Sequence, residues 1–371
     1  MKKLFERYLL PGLVFQGVVI GGGYATGREL AEFFMPSGPL GGLLGMAAAA
    51  LVWSLVMAIS FEICRMTRSY EYKSFFEQLL GRFWFLYEIL LVLLMILILS
   101  VVGAAAGEIV QNLLGAAPIL GSLLLLGAVG ILVFYGNRVI ERFMGFWSFL
   151  LYVTYFMLVV WCFAAFGTEI RASFAASEVG GRWFWDGVRY AGYNIAAVPV
   201  VFFALRHLET RREAIAAGLL AGPIGMLPAV FLYLAMMAAY PEIGELPIPS
   251  ALLLARLDAF WFSALFQIVL LGTLIQTGVG LIHAINERVA ATLAARGKTM
   301  PAYWRPVIAV LILLTALVLA AWFGIIPLIG RGYGLMTYGF IAVFVLPVLT
   351  IGLMRVIRGR NPAPLPGSLS G

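Results

Sequence analysis

The chain has 371 residues, of which 63% are hydrophobic and 12% charged, and its mean hydropathy is +0.99. Soluble domains carry about 45–50% apolar and about 25% charged residues, so a water-soluble enzyme and a nucleic-acid-binding module are both excluded. The net charge of +7 comes from short basic clusters between long apolar runs, a pattern typical of membrane orientation. We therefore expect an all-α integral membrane protein embedded in the lipid bilayer, with no nucleic acid as partner.

Ten apolar segments are long enough to cross a bilayer, which requires about 20 residues per helix. We name them spans 1 to 10 in chain order. Their predicted ranges are 8–34, 39–63, 83–112, 117–136, 142–166, 186–205, 213–240, 258–287, 303–324 and 332–357. The longer connections are 167–185 and 241–257, and the proline-rich residues 358–371 are expected to form a disordered cytoplasmic tail.

The basic residues predict the orientation of the chain. An even number of spans places both termini on one side of the membrane, and 19 of the 25 Lys and Arg residues lie on that side. Because positively charged loops are retained in the cytoplasm, both termini are predicted to be cytoplasmic. The expected location is the bacterial cytoplasmic (inner) membrane.

Span 1 contains a glycine-rich segment at residues 21–27, with the sequence Gly-Gly-Gly-Tyr-Ala-Thr-Gly. Each glycine costs roughly 1 kcal/mol relative to alanine inside a helix, and unwound backbone within a membrane must line a cavity or be buried in protein. A helix-packing surface built on Gly23-x-x-x-Gly27 is the alternative. The polar Arg28 and Glu29 that follow favour a true break. Similar glycine spacings at 38–42, 41–45 and 103–107 predict plain helix packing.

Span 6 carries a comparable interruption five spans later. Tyr193 and Asn194 precede Pro199, which has no N–H to donate to the carbonyl of Ile195, and we expect non-helical backbone around 193–199. A proline-kinked helix with Asn194 bonded to a neighbour is the alternative. Paired interruptions in two five-span halves point to a transporter binding site, and the odd number of spans inverts the second half. We expect repeats at 1–166 and 186–357, joined by an extracytoplasmic connection at 167–185.

Span 8 carries a polar stripe on one helical face. Its members are Thr273, Gln276, Thr277, Gly280, His283 and Glu287. Such a stripe faces protein or water rather than lipid. Interhelical hydrogen bonding remains an equal alternative for His283 and Glu287, whereas the three outer residues are expected to line a site. Glu88 of span 3 is expected to reach the inner interface or to pair with an arginine of a loop.

The residues of span 1 carry a family resemblance. Residues 21–29, followed by Glu32, Phe33 and Phe34, resemble the first-span signature of the bacterial YkvI-like membrane proteins, and Tyr193-Asn194 and Asn286-Glu287-Arg288 are similar to that family as well. The family is similar to the amino acid–polyamine–organocation superfamily, which has a LeuT-like five-plus-five inverted repeat. This resemblance implies broken helices 1 and 6 at the substrate and a span 8 that binds sodium against span 1. A lysine that replaces sodium in some proton-coupled relatives is missing from span 5.

Together these patterns predict a secondary active transporter rather than an enzyme, with a small organic solute as substrate and ion coupling. An amino acid or a related carboxylate or amine fits best, and a non-transporting receptor or interaction protein of the same fold is the alternative. No organic cofactor is expected. The residues predicted to bind the substrate are Gly21, Gly22, Gly23, Tyr24, Ala25, Thr26, Tyr193, Asn194 and Gln276.

Two coupling ions remain open. Thr273 and Thr277 lie one helical turn apart and can reach a common sodium ion together with carbonyls freed in span 1. The rival is proton coupling through Glu29 or, less readily, Glu108 or His283. Because the neighbouring Arg28 is expected to keep Glu29 charged, Arg28 and Glu29 are assigned to a gate, and sodium is favoured by a small margin.

Cysteine labelling tests the predicted orientation. In a variant whose Cys64 and Cys162 are replaced by alanine, we expect a cysteine at Arg182 to react with a membrane-impermeant maleimide added outside the cell. A cysteine at Lys298 should react only after the membrane is opened, because its loop belongs to the basic cytoplasmic side. Labelling in the reverse order would refute the topology.

Overall fold

The computed structural model of the protein describes residues 4–135, 137–175, 178–294, 297–301 and 303–359. This part of the chain is helical apart from turns and short connections, and it contains no strand. Seven of its helices are long and apolar enough to cross a membrane, or eight if Phe149–Ala165 and Gly167–Ala175, bent by 75°, count as one span. The seven are Arg28–Thr67, Phe85–Leu114, Trp183–His207, Arg211–Ala239, Phe260–Ala294, Trp304–Phe323 and Ile325–Arg358.

Each of the ten predicted spans coincides with helical structure. Span 1 consists of short helices, and span 4 has a shorter apolar helix, Pro118–Leu132, so neither reaches the length of the seven on its own. The α-helices of span 1 are Leu10–Val19, Gly22–Ala25 and Arg28–Phe34. Spans 2 to 5 each have one α-helix, and these are, in order, Gly38–Thr67, Phe85–Leu114, Pro118–Tyr135 and Asn137–Ala165. Those of spans 6 to 9 are Trp183–Asn194, Arg211–Met236, Phe260–Ala294 and Trp304–Phe323. Span 10 alternates α and π turns up to Leu353–Arg358. The structure is thus consistent with ten spans.

Three further α-helices of eight or more residues lie in the described connections. Gly167–Ala175 occupies the predicted connection 167–185, and Pro249–Arg256 occupies the connection 241–257. The third, Tyr72–Leu80 between spans 2 and 3, was not predicted. Its buried residues Phe75, Phe76 and Leu79 show the helical spacing that could have identified it. The predicted tail lies outside the described residues beyond Gly359, and the repeat boundaries stay a prediction.

Spans 2, 6 and 7 approach one another through small residues. A Cβ added to Gly222 of span 7 would overlap the hydroxyl oxygen of Ser54 in span 2. Gly187 of span 6 lies against the carbonyl oxygen of Gly45 in the same way. The glycine spacing at 41–45 therefore serves helix packing, as predicted, because only a missing side chain allows backbones to come this close.

Two groups of spans enclose the middle of span 1. Spans 1, 2, 6 and 7 pack on one another, and spans 3, 4, 8 and 9 form a second packed group. Gly107 of span 3 lies against the carbonyl of Pro118 at the start of span 4, so the spacing at 103–107 also serves packing. The short helix Gly22–Ala25 contacts spans 3 and 8. The centre of span 1 is therefore placed between the two groups.

A pair of glycine substitutions tests this packing. Gly222→Ala should lower the free energy of unfolding by about 1–3 kcal/mol, because spans 2 and 7 must move apart to admit the methyl group. Gly127→Ala of span 4, where nothing lies within 4 Å of the added Cβ, should be neutral or stabilising. Thermal unfolding of the detergent-purified protein measures both. Equal Tm values for the two variants would contradict the close packing.

Candidate functional site

Span 1 is interrupted twice near its middle. The helix Leu10–Val19 ends where Ile20 adopts φ −72° and ψ 73°. One helical turn, Gly22–Ala25, follows, and Gly27 adopts φ +81° before the helix Arg28–Phe34 begins. Side chains other than glycine rarely adopt this positive φ. The predicted break at 21–27 is confirmed, with a single helical turn retained at its centre.

Span 6 is interrupted by a change of helix type. The α-helix Trp183–Asn194 continues directly into the 3-10 helix Ile195–His207. The expected non-helical backbone around 193–199 is therefore wrong, because the chain changes its hydrogen-bond register and stays helical. A 3-10 segment of this length is uncommon, since its hydrogen bonds are less well aligned than those of an α-helix.

Side chains of spans 2 and 3 donate to two carbonyls of span 6. In a 3-10 helix each N–H bonds to the carbonyl three residues earlier, so Pro199 deprives Ala196, rather than Ile195, of a partner. Tyr87 Oη of span 3 donates to the Ala196 carbonyl at 3.1 Å. Trp53 Nε1 of span 2 donates to a second carbonyl of span 6, one turn before the change of helix type, at 3.2 Å.

Span 5 supplies a hydroxyl to the break in span 1. Tyr155 Oη lies 3.3 Å from the carbonyl oxygens of both Tyr24 and Ala25 and donates to them. The Tyr155 ring stacks on Tyr24, with ring centroids 6.4 Å apart, and on Phe266 of span 8 at 5.9 Å. Sequence reasoning missed Tyr155 because no periodic pattern distinguishes it from other aromatic residues of span 5.

Glu29 connects the outer half of span 1 to span 6. Its side chain is buried, and its Oε2 accepts a hydrogen bond from Tyr193 Oη at 2.5 Å. The expectation that the neighbouring Arg28 keeps Glu29 charged by pairing with it is wrong in its geometry, because consecutive residues of a helix point in different directions and Arg28 binds other groups. The structure therefore brings Glu29 and Tyr193 together and separates Glu29 from Arg28.

Arg28 instead binds the outer connection between spans 7 and 8. Its Nη1 donates to the carbonyls of Gly244, at 2.6 Å, and Leu246, at 3.0 Å, and its Nη2 pairs with Glu32 at 2.8 Å. The N–H of Ser250 also donates to the carbonyl of Thr26 at 3.1 Å. These bonds hold the connection against the outer end of the break.

Aromatic rings surround Tyr193 and form what we name the tyrosine cluster. The Tyr193 ring lies 5.7 Å from Phe33, 5.7 Å from Tyr190 and 4.6 Å from Tyr333 of span 10, measured between centroids. The cluster therefore joins residues of spans 1, 6 and 10 around the bond to Glu29. Tyr333 was not among the predicted site residues, since it lies at the start of span 10, far from the other motifs.

The two threonines of span 8 hydrogen-bond within their own helix. Thr273 Oγ1 donates to the carbonyl of Val269 at 2.9 Å, and Thr277 Oγ1 donates to that of Thr273 at 3.0 Å. Each hydroxyl oxygen keeps lone pairs for a cation. Thr273 shares a helix face with Phe266, seven residues earlier, which contacts Tyr155. This face therefore points towards the ring stack beside the break.

Asn194 and Gln276 are the two amide side chains among the predicted substrate-binding residues. Asn194 Nδ2 donates to the carbonyl of Tyr190 at 3.0 Å, so this amide group bonds within its own helix. Asn194 and Gln276 are both half-buried. Asn194 lies at the end of the α-helix of span 6, immediately before the change of helix type. Its place in the chain fits the predicted site, while its N–H₂ group stabilises the helix end.

Charged residues near the ends of spans 3, 8 and 9 form interhelical pairs. Glu287 pairs with Arg305 of span 9 at 2.8 Å, so the interhelical alternative holds for this member of the stripe. Glu88 pairs with Arg288 at 2.9 Å, so it has an arginine partner, which lies in the helix Phe260–Ala294 and not in a loop as predicted. Among the residues described, no group of three or more His, Cys, Asp and Glu side chains could hold a metal ion.

Known proteins resemble the chain in sequence and in fold. No protein family model matches it. Over 297 residues it is 22% identical to the uncharacterized membrane protein YkvI of Bacillus subtilis (strain 168). This alignment covers 77% of this chain and 82% of that protein. Its structure is similar to MhsT in complex with L-phenylalanine, with a TM-score of 0.53 and 15% identity over 94% of this chain and 97% of that chain.

A second structure gives the same fold. A variant of the manganese transporter of Eremococcus coleocola aligns with a TM-score of 0.51 and 13% identity, covering 96% of this chain and 85% of that chain. The LeuT-like fold expected from span 1 is confirmed by these two likenesses, and the YkvI-like resemblance is confirmed by the sequence match. The chain is therefore similar in sequence to YkvI, and its fold is similar to that of these two solved proteins.

The bond between Tyr87 and Ala196 can be tested with a double substitution. Tyr87→Phe should lower the free energy of unfolding by about 1–3 kcal/mol, because it leaves a buried carbonyl without a donor. Pro199→Ala restores an N–H that can bond to the Ala196 carbonyl, three residues earlier. In the Pro199→Ala protein, Tyr87→Phe should therefore lower the free energy of unfolding by less. Thermal unfolding of the wild type, the two single variants and the double variant measures this difference. Equal losses in both backgrounds would contradict the 3-10 register.

Proposed function

We propose that the protein is a secondary active transporter that moves a small organic solute across the membrane by alternating access. The paired interruption of spans 1 and 6 carries this proposal. The outer helix Arg28–Phe34 packs against Trp183–Asn194, and the inner helix Leu10–Val19 packs against Ile195–His207. In many transporters the substrate site lies near the bilayer midplane, where helices depart from regular α-helical structure, as span 1 does by a break and span 6 by a change to a 3-10 helix.

The likeness to MhsT supports an amino-acid-like substrate, because that protein is described in complex with L-phenylalanine. The likeness to a manganese transporter shows that a metal cargo is compatible with the same fold. We favour the organic solute because aromatic rings line the junction of spans 1 and 6. An amino acid or a related carboxylate or amine fits a junction that offers both backbone groups and aromatic faces.

The proposed substrate site lies at the break itself. Backbone amides of Gly22 and Gly23 would meet an anionic group, since the positive end of a half-helix favours negative charge. Tyr24 and Tyr193 would contact the rest of the solute, and Gln276 would approach it from span 8. The remaining members of the proposed site are Gly21, Ala25, Thr26 and Asn194.

The proposed coupling ion is sodium, bound between spans 1 and 8 by Thr273 and Thr277. The short helix Gly22–Ala25 contacts span 8, which supports a shared site. Sodium prefers several oxygen ligands, and two hydroxyls with carbonyls of the break would supply them. Proton coupling through Glu29 is the alternative. The pairing of Arg28 with Glu32 favours this alternative, because no bond to Arg28 holds Glu29 in its charged form.

Arg28 is proposed to act in an outer gate. It joins the break to the connection that carries Gly244 and Leu246, so opening the outer side would require these bonds to part. We also propose that the termini face the cytoplasm, in line with the distribution of basic residues. A receptor of the same fold would keep these contacts but would bind its ligand without transport.

Uptake in proteoliposomes tests transport and its coupling ion together. Uptake of a radiolabelled amino-acid mixture should follow an imposed inward sodium gradient in the absence of a pH gradient. Thr273→Val and Thr277→Val should each reduce this uptake about tenfold or more, because each removes one cation ligand. Thr315→Val of span 9 is a matched control, since Thr315 makes the same bond within its helix but is exposed.

The contrary outcomes separate the alternatives. Flux that ignores sodium but follows an inward proton gradient would transfer the coupling role to Glu29 or another ionisable residue. Binding of an amino acid without any flux would support the receptor.

A further inference from the structure

Glu29 is a buried carboxylate that is not paired with a cation. Its side chain is 5% exposed, and Oε2 is bound by Tyr193. In the part of the chain that the structure describes, Oε1 accepts no hydrogen bond. The neighbouring guanidinium groups bind elsewhere, because Arg28 pairs with Glu32, and Arg189 lies 3.7 Å from Asp186.

The surroundings compensate the negative charge only in part. Glu29 lies in the first turn of Arg28–Phe34, where the helix dipole stabilises an acidic side chain. This stabilisation is smaller than the free energy that removal of a carboxylate from water costs, even after the protein relaxes. A positive charge at Oε1 would supply the missing compensation.

The tyrosine cluster is suited to an organic cation. Cations are attracted to the faces of aromatic rings, and the rings of Phe33, Tyr190 and Tyr333 all contact Tyr193 beside Glu29. The hydroxyl oxygens of Tyr24 and Tyr190 are buried and have no hydrogen-bond partner among the described residues. An ammonium group has three N–H donors, which match one carboxylate oxygen and two phenol oxygens in number and in chemistry.

Other occupants match this environment less well. A proton on Glu29 would neutralise the carboxylate and supply one O–H donor, which cannot serve the hydroxyl oxygens of both Tyr24 and Tyr190. A hard metal ion prefers a full shell of oxygen ligands, and the side chains around Glu29 present aromatic ring faces beside one carboxylate and the phenol oxygens. The combination therefore favours a protonated amine.

We propose that Glu29 and the tyrosine cluster bind the protonated amino group of the substrate, so that the transported solutes are amines or amino acids rather than simple carboxylates. This inference rests on the proposed function, because it places the amino group in the proposed transport site. Glu29 is then a binding residue, and its bond to Tyr193 fixes the position of the carboxylate for the amine.

Two sets of ligands provide the test, and the three compounds within each set have closely related carbon skeletons. The first set is L-phenylalanine, phenethylamine and 3-phenylpropanoate, and the second is L-leucine, 3-methylbutylamine and 4-methylpentanoate. The purified full-length protein is titrated with each compound, and its Tm is measured. The amino acid and the amine of at least one set should raise the Tm, and the carboxylate without an amino group should not.

Glu29→Gln should then weaken binding of the amine and the amino acid by about 30-fold or more, because the ammonium group loses its charged partner. Glu29→Asp should restore part of the affinity. Glu178→Gln removes an exposed acidic side chain from another segment and should leave the affinities unchanged. The Tm of each variant without ligand reports whether the protein is folded.

Four outcomes would overturn the inference. The first is amine binding that Glu29→Gln leaves unchanged, and the second is a Tm that only the carboxylates raise. The third is a Tm that no amine of either set raises. The fourth is a Tm that manganese ions raise in a Glu29-dependent way while amines do not. Failure of the transport proposal is distinguishable, because these assays measure binding alone. A protein that binds amines through Glu29 without taking them up into proteoliposomes would refute transport and retain this site.

Discussion

The structure depends on one constraint, which is that backbone groups inside a bilayer must find partners within the protein. Tyr155 contacts two carbonyls of span 1, those of Tyr24 and Ala25, beside the break. Tyr87 donates to the Ala196 carbonyl, which Pro199 leaves without an N–H partner. Trp53 donates to the Ala191 carbonyl of span 6, which also accepts the N–H of Ile195. These donors belong to spans 5, 3 and 2, so the interruptions exist only in the assembled bundle.

The two interruptions satisfy this constraint by different routes. Span 1 uses glycine, and the positive φ of Gly27 separates its outer helix from the central turn. Span 6 keeps a continuous helix and changes its register, with Pro199 placed inside the 3-10 segment. Span 1 therefore offers polar backbone and a change of direction, while span 6 offers Tyr193, which binds Glu29 of span 1. In the proposed function, these two kinds of surface would serve a small zwitterionic solute.

The charges of the protein fall into two classes with different consequences. The pair of Arg305 with Glu287 is exposed and contributes about 0–1 kcal/mol. Glu29 lies in the interior, and among the described residues the hydroxyl of Tyr193 is the group that binds its carboxylate. In the proposed site this acidic group would stabilise a cation and disfavour an anion at the same point.

The sequence by itself determined the positions of the apolar spans and the break in span 1, because both follow from local properties. Segment hydrophobicity decides which residues enter the bilayer, and four glycines weaken a helix wherever they occur. Only the tertiary structure decided that span 6 stays helical, that Glu29 meets Tyr193 instead of Arg28, and that Tyr87 and Tyr155 serve the interruptions. The physical reason is that a hydrogen bond between spans depends on which side chains face each other across the bundle. Helix packing sets that geometry, and residues 130 or more positions apart in the chain take part in it.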